Sequence, residues 1–245
     1  MMIQGEPTCE RVWRRWLAEE GCHEQPIQKW LPASARLVVV APHPDDEFVA
    51  WGGLISAHAA QGGRVLSIAV TDGEASQRAS PTFTREELAE IRRNERLTGL
   101  RHLGVSHPEL LALALKDGQV RPQSDILLDR LMALLQPSDV VVSTWENDGH
   151  PDHDTAGYMV NRASAATGCT FLAAPVWMWN WAKPDDPRVP WRRMRGLSLS
   201  AEEGLRKQAA LAAQSQLVSR NFCLGAVLDD AIVKRAAWPT EYYFV

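Results

Sequence analysis

Short runs of continuous apolar residues alternate along the chain with longer segments of mixed character. Residues 36–41 (RLVVVA), 65–71 (VLSIAVT) and 139–144 (DVVVST) are apolar and β-branched at most positions, the pattern of strands buried on both faces. Residues 110–115 and 170–177 predict two more strands. Helical segments fall between them. Residues 46–61 stop at Gly62-Gly63, and 84–103 open on Thr84 with Glu86 and Glu87 in the first turn and stop at Gly104. Residues 124–135 are closed by Pro137, and 154–166 form a fourth helix. Strands alternating with helices at this spacing imply βαβ units and a parallel sheet. Farther on, 194–200 reads as a strand, 201–217 as a helix and 241–245 as an edge strand. At the front, 9–20 forms a short helix with Val12, Trp13, Trp16 and Leu17 on one side, before Pro26 and Pro32 break the pattern. The expectation is an α/β protein: a Rossmann-like, mostly parallel sheet flanked by helices over 36–245, with residues 1–35 as an N-terminal helical arm packed on it.

Composition narrows the class. With 245 residues, 45% hydrophobic and 23% charged, the chain is an ordinary globular protein, which excludes disorder, collagen and coiled coil. A net charge of -4 argues against a nucleic-acid partner, which usually meets a basic face. No segment approaches the roughly 20 apolar residues that span a bilayer. The first residues, broken by Glu6, Glu10 and Arg11, lack the apolar core of a secretory signal. Four cysteines without a C-x-x-C pair read as reduced thiols and signal no thiolate zinc site, so a cytoplasmic location is expected. The 10 Trp outnumber the 3 Tyr and 5 Phe together, an excess that composition leaves unexplained.

Two loops carry the candidate chemistry. Pro42-His43-Pro44-Asp45-Asp46-Glu47 follows the first strand, and Gly149-His150-Pro151-Asp152-His153-Asp154 follows the fourth. In a doubly wound sheet the first and fourth strands are neighbours at the switch point, where ligands bind at the carboxyl ends. The two loops then meet in one crevice. His43, Asp46 and His153 give a His₂Asp set that suits Zn²⁺, with Fe²⁺ as the other candidate. Asp45 is placed to take a proton from water, His150 to stabilise an oxyanion or protonate a leaving group, and Asp152 to hold the His150 ring. Each loop alone reads equally well as an ordinary turn and helix start. Together, both after buried strands and both opening helices, they point to a metal site.

These motifs, with Gly52-Gly53, Thr71-Asp72-Gly73-Glu74 and Arg92-x-x-Glu95 ahead of Leu103-Gly104, resemble the zinc-dependent N-acetylglucosaminyl deacetylases of the LmbE/PIG-L family. The resemblance runs over roughly residues 36–180. It implies His43, Asp46 and His153 as zinc ligands, Asp45 as general base, His150 with Asp152 behind it as oxyanion stabiliser, and Arg92 as a substrate contact. It departs at Trp51, where a small residue is expected.

Glu74 and Arg78, on the same edge as the motifs, are candidate substrate contacts, against the alternative of an ordinary flexible loop. Trp177, Trp179 and Trp181 alternate, so on a strand they share one face. That face is either packing, which is favoured for Trp177, a contact between copies in a homo-oligomer, or a sugar platform with Trp181 and Asn180 at its end. The expected activity is removal of an N-acetyl or similar acyl group from a small-molecule amino sugar or its conjugate. The alternatives are a metal-dependent hydratase of an unsaturated acid and a non-catalytic carbohydrate-binding module.

Overall fold

β1 (Arg36–Ala41) is covered on both sides, and that requirement organises the rest. Leu37, Val39 and Ala41 enter one apolar cluster with Phe48, Leu54 and Ile55. Val38 and Val40 enter another with Ile68, Leu127, Leu131 and Val160. Neither face can meet water, so helices cover both. The first face is closed by α2 (Asp46–Ala60), α3 (Arg85–His102) and α7 (Ala201–Ala212). The second is closed by α4 (Ser124–Leu134) and α5 (Pro151–Thr167). The computed structural model describes residues 8–20, 24–75, 83–214 and 230–245.

The other strands are β2 (Arg64–Thr71), β3 (Glu109–Leu115), β4 (Val140–Thr144), β5 (Thr170–Ala174), β6 (Met194–Ser198) and β7 (Thr240–Phe244). Three more helices are α1 (Glu10–Glu20), α6 (Met178–Trp181) and α8 (Asp230–Ala236). The sheet order is β3-β2-β1-β4-β5-β7-β6. The first five strands are parallel, and β7 runs antiparallel to β5 and β6. The expected mostly parallel α/β sheet is present, and β1 lies beside β4 at the reversal of strand order.

Four expectations change. The last strand is not an edge: β7 sits between β5 and β6, and its Tyr243 and Phe244 are buried. The fifth strand ends at Ala174, because the Asp148 carboxylate accepts the N–H groups of Val176, Trp177 and Met178 and draws the chain into α6. α5 starts at Pro151, with His150 as its cap, since proline is well suited to a first helical position. The helix expected over 201–217 ends at Ala212, and 215–217 lie outside the described residues.

The Trp excess is mostly packing. Trp13, Trp145, Trp179, Trp181 and Trp238 form one buried cluster, flanked by Trp16 and Trp191. α1 docks into it: Trp13 sits edge-on to Trp179 at 5.1 Å and donates its indole N–H to the Trp179 carbonyl at 3.2 Å. Val12, expected on that apolar side, is instead 46% exposed. Trp30 and Trp51 belong to the main core.

α2 is held in place from behind. A Cβ on Gly53 would lie 2.2 Å from Leu199, so the close approach of α2 to the β6–α7 turn needs glycine there. The buried Glu241 carboxylate accepts Gly53 N–H at 2.7 Å, Leu54 N–H at 2.9 Å and Lys207 Nζ at 2.6 Å. Removing one partner of a buried ion pair leaves a charge stranded. Lys207→Met is therefore expected to cost about 3 kcal/mol of stability, read from the urea midpoint, with part of the loss recovered in Lys207→Met/Glu241→Gln. An unchanged midpoint in the single variant contradicts this role.

Candidate active site

The carboxyl ends of β1 and β4 place the two motif loops side by side. Thr71 at the end of β2 donates its hydroxyl to the Pro42 carbonyl at 2.8 Å, and Thr144 at the end of β4 donates to the His153 carbonyl at 2.9 Å. Each loop is thus pinned to a strand end. Both loops then enter helices, α2 and α5, whose positive N-terminal ends favour Asp46, Asp152 and Asp154 in their first turns. Gly149 has φ 97°, and a Cβ there would lie 2.6 Å from the Trp181 indole nitrogen. Only glycine turns the chain into His150 without strain.

Three donor atoms converge. His43 Nδ1 is 3.1 Å from His153 Nε2, and Asp46 Oδ2 is 3.5 Å from each. The far sides of both rings face carboxylates. His153 Nδ1 is 2.8 Å from Asp148 Oδ2, and His43 Nε2 is 3.4 Å from Asp152 and 3.5 Å from Asp117. The inward nitrogens face Asp46 as well, so without a metal ion a proton is held on this side of the rings as readily as on the far side. Once deprotonated, the two inward nitrogens and Asp46 Oδ2 present three convergent donors of the kind that bind a divalent cation. Tetrahedral donors bound at about 2.1 Å lie about 3.4 Å apart, which matches the observed separations. The set fits a divalent metal ion, and Asp148, Asp117 and Asp152 are the outer carboxylates that orient such ligands.

The electrostatics agree. Burial works against charge on His43, yet Asp117, Asp152 and Asp46 hold its imidazole well above the usual range. Burial likewise opposes charge on His153, but Asp46 and Asp148 raise it. Against its own burial, Asp46 is held down at about 2 by His153 and His43. Burial and the charge of Asp46 push the Asp45 carboxyl up, while His43 and Arg92 pull it back. Burial, His153 and His43 push His150 down to about 3.

These groups open on a cavity of about 230 Å³. His43, Asp45, Asp46, Arg92, Asp117, His150 and His153 line its polar side, and Val49, Val176, Trp177 and Ile232 the other. Trp177 lies against the His150 ring at 5.6 Å. Arg92 is 2% exposed, and its Nε and Nη2 have no hydrogen-bond partner among the described residues. A polar groove bounded by Asp72, Glu74, Arg85, Glu86 and Lys116 adjoins the cavity, sharing Ala75, Asp117 and Gly118 with it.

The structure thus brings His43, Asp45, Asp46, Arg92, His150 and His153 together. Four candidates are placed otherwise. Asp152 does not hold the His150 ring. Its backbone N–H donates to His150 Nδ1 at 3.3 Å, while its carboxylate accepts Gly118 N–H and Val120 N–H and faces His43. Glu74 borders the groove and accepts the Asp117 N–H at 2.9 Å. Trp181 and Asn180 are not among the cavity's lining residues. α6 buries Trp181, whose N–H donates to the Asp148 carbonyl, and the Asn180 side-chain oxygen accepts from Arg235. Trp177, favoured as packing, is the tryptophan that lines the cavity. Arg78 lies outside the described residues. Asp148 and Asp117 were missed, although both follow a strand on this edge, in an N-D-G and a K-D-G turn.

Comparison with known proteins adds the following. The PIG-L family, GlcNAc-PI de-N-acetylase, matches residues 38–164. A Bacillus cereus protein described as a probable N-acetyl-alpha-D-glucosaminyl L-malate deacetylase 2 is 31% identical over 133 residues, 52% of this chain and 60% of that protein. The N,N'-diacetylchitobiose deacetylase of Pyrococcus horikoshii superposes with a TM-score of 0.58 at 19% identity, covering 94% of this chain and 84% of the other. GalB, the 4-carboxy-2-hydroxymuconate hydratase of Pseudomonas putida KT2440, superposes with a TM-score of 0.57 at 16% identity, covering 82% of each chain. At these identities the two structures share the fold alone. The chain spans about 60% of the length of the curated relatives it matches. No helix among the described residues is long and apolar enough to cross a membrane.

A metal ion entering this cluster must displace protons from His43 and His153, whose pKa values are raised. Apparent Zn²⁺ affinity should therefore rise as pH passes 6.5, the unperturbed histidine value, and keep rising above it. Proton release is measured by calorimetry in buffers of different ionisation enthalpy. An affinity that is flat over about pH 5–8 contradicts the assignment.

Proposed function

The chain belongs to the PIG-L family, and from that premise we propose that it is a zinc-dependent N-deacetylase acting on a small-molecule amino sugar or its conjugate. The observation that carries this reading is the convergence of His43 Nδ1, His153 Nε2 and Asp46 beside Asp45, which lines the same cavity. His43, Asp46 and His153 would hold the ion, with Fe²⁺ as the alternative metal. When bound, it supplies Lewis-acid polarisation of the scissile carbonyl and of water.

The chain's own groups do the rest. Asp45, raised by burial and by Asp46, takes the proton of the attacking water. His150 accepts the Asp152 N–H at Nδ1, which leaves its own N–H at Nε2. It acts as a neutral donor to the oxyanion. The proton held by Asp45 then passes to the departing nitrogen, and the C–N bond breaks to give carboxylate and amine. Arg92, whose guanidinium borders the cavity, supplies positive charge toward the substrate. Val49, Val176, Trp177 and Ile232 suit the acyl group, and the adjoining polar groove, with Glu74 on its border, suits the hydroxyl-bearing part. Residues 1–35 are read as an arm of the 36–245 unit, and the reaction is assigned to the cytoplasm, in keeping with the free thiols of Cys9 and Cys169.

The test is an acetate-release screen over N-acetyl glycosides with zinc-loaded protein. Asp45→Asn is expected to keep stoichiometric metal and lose turnover by about 10²–10⁴-fold. Trp177→Ala should raise KM more than it lowers kcat. Turnover of an unsaturated acid in place of amides would replace this reading with the hydratase. Full amide turnover by Asp45→Asn would remove Asp45 from its role.

A further inference from the structure

A buried ion pair outside the cavity touches the ligand loop. Glu47, 0% exposed, ends the first motif, and Arg96, 1% exposed, lies one turn beyond Arg92 on α3. Arg96 Nε is 2.7 Å from Glu47 Oε1. Ser67 of β2 donates its hydroxyl to the same oxygen at 2.8 Å. Arg96 Nη2 donates to the backbone carbonyl of His43 at 2.8 Å. Neither Glu47 nor Arg96 lines the cavity.

Filling space does not require this arrangement. Two charges taken out of water carry a heavy desolvation cost, and apolar residues of similar volume often serve stability as well or better. Apolar residues cannot, however, hold the His43 carbonyl. The His43 N–H already donates to Asp46 Oδ2 at 2.8 Å. The His43 carbonyl accepts the Asp46 N–H only at a long 3.4 Å, so the 2.8 Å bond from Arg96 is the tighter hold. With it the peptide groups on both sides of His43 are fixed, and so is the direction in which its ring leaves the backbone. A metal ligand displaced by half an ångström loses affinity, so this is a place where a fixed backbone matters.

We propose that the Glu47–Arg96 pair positions the metal ligand His43: the Glu47 carboxylate, held by Ser67, keeps the guanidinium in place by charge contact, and Arg96 clamps the His43 carbonyl, setting the affinity of the site for its metal ion. The proposal rests on the reading of His43, Asp46 and His153 as the metal-binding set.

The full-length double variant Glu47→Leu/Arg96→Met tests it. Zn²⁺ affinity is measured by competition with a chromophoric chelator, and stability from the urea midpoint of the metal-free protein. Affinity should fall by about 10–100-fold while the midpoint holds or rises. Glu47→Gln, which leaves the clamp on the carbonyl in place, should lose less than the double variant. A double variant that binds Zn²⁺ as tightly as the unaltered protein, or loses binding only in proportion to its unfolded fraction, overturns the proposal. If the double variant does not fold, Arg96→Lys decides. A lysine keeps the charge but cannot reach both partners, so its affinity should fall, and unaltered affinity overturns the clamp. Unaltered protein that binds no Zn²⁺ defeats the metal-site reading itself, which keeps the two failures apart.

Discussion

Two imidazole nitrogens face each other at 3.1 Å, each turned inward because a carboxylate claims the other side of its ring. A proton or a metal ion between them makes that approach favourable, and much of the structure around it holds the two rings there. The strand-order reversal between β1 and β4 brings two distant loops together. Two helix N-termini favour the acidic residues that begin α2 and α5. Hydroxyls at the ends of β2 and β4 pin the loop backbones. Each is a modest interaction alone, of the order of 1 kcal/mol for a neutral hydrogen bond. Their joint effect is that neither histidine can turn away.

The rest of the molecule acts as a frame for that centre. The buried Lys207–Glu241 pair anchors α2 from behind, where Gly53 lets it lie close against the β6–α7 turn. The tryptophan cluster joins α1 to the segment after β5 and to β7, and nearly every indole in it finds a carbonyl or carboxylate for its N–H. Large rigid side chains with one polar tip suit that task.

The parts of the fold written in local pattern were legible in the sequence. The runs RLVVVA and DVVVST could only be buried strands, and their adjacency followed from the rules of doubly wound sheets. The residues that could serve as ligands announced themselves because His and Asp are rarely dense in short turns. What failed was non-local. Whether 241–245 is an edge depends on β6 folding back beside it, which no periodicity in that segment reveals. The alternation of Trp177, Trp179 and Trp181 looks like a strand, but three hydrogen bonds to Asp148, remote in sequence, make it a helical turn. Asp148 and Asp117 went unnoticed because an aspartate beside glycine is the commonest of turn signals. Asp152 was seen, but its side-chain direction depends on where the β3–α4 loop supplies its N–H groups.

Asp148 joins two properties that a protein usually varies separately. Its carboxylate orients His153 and also holds the backbone of Val176, Trp177 and Met178, the first two of which form one wall of the cavity. The orientation of the His153 ring and the outline of the wall share one anchor. Any shift in the main chain of that wall therefore also disturbs the carboxylate that orients His153. The side chains mounted on it, Trp177 among them, can be exchanged without that disturbance, so the shape of the wall is adjustable only through them.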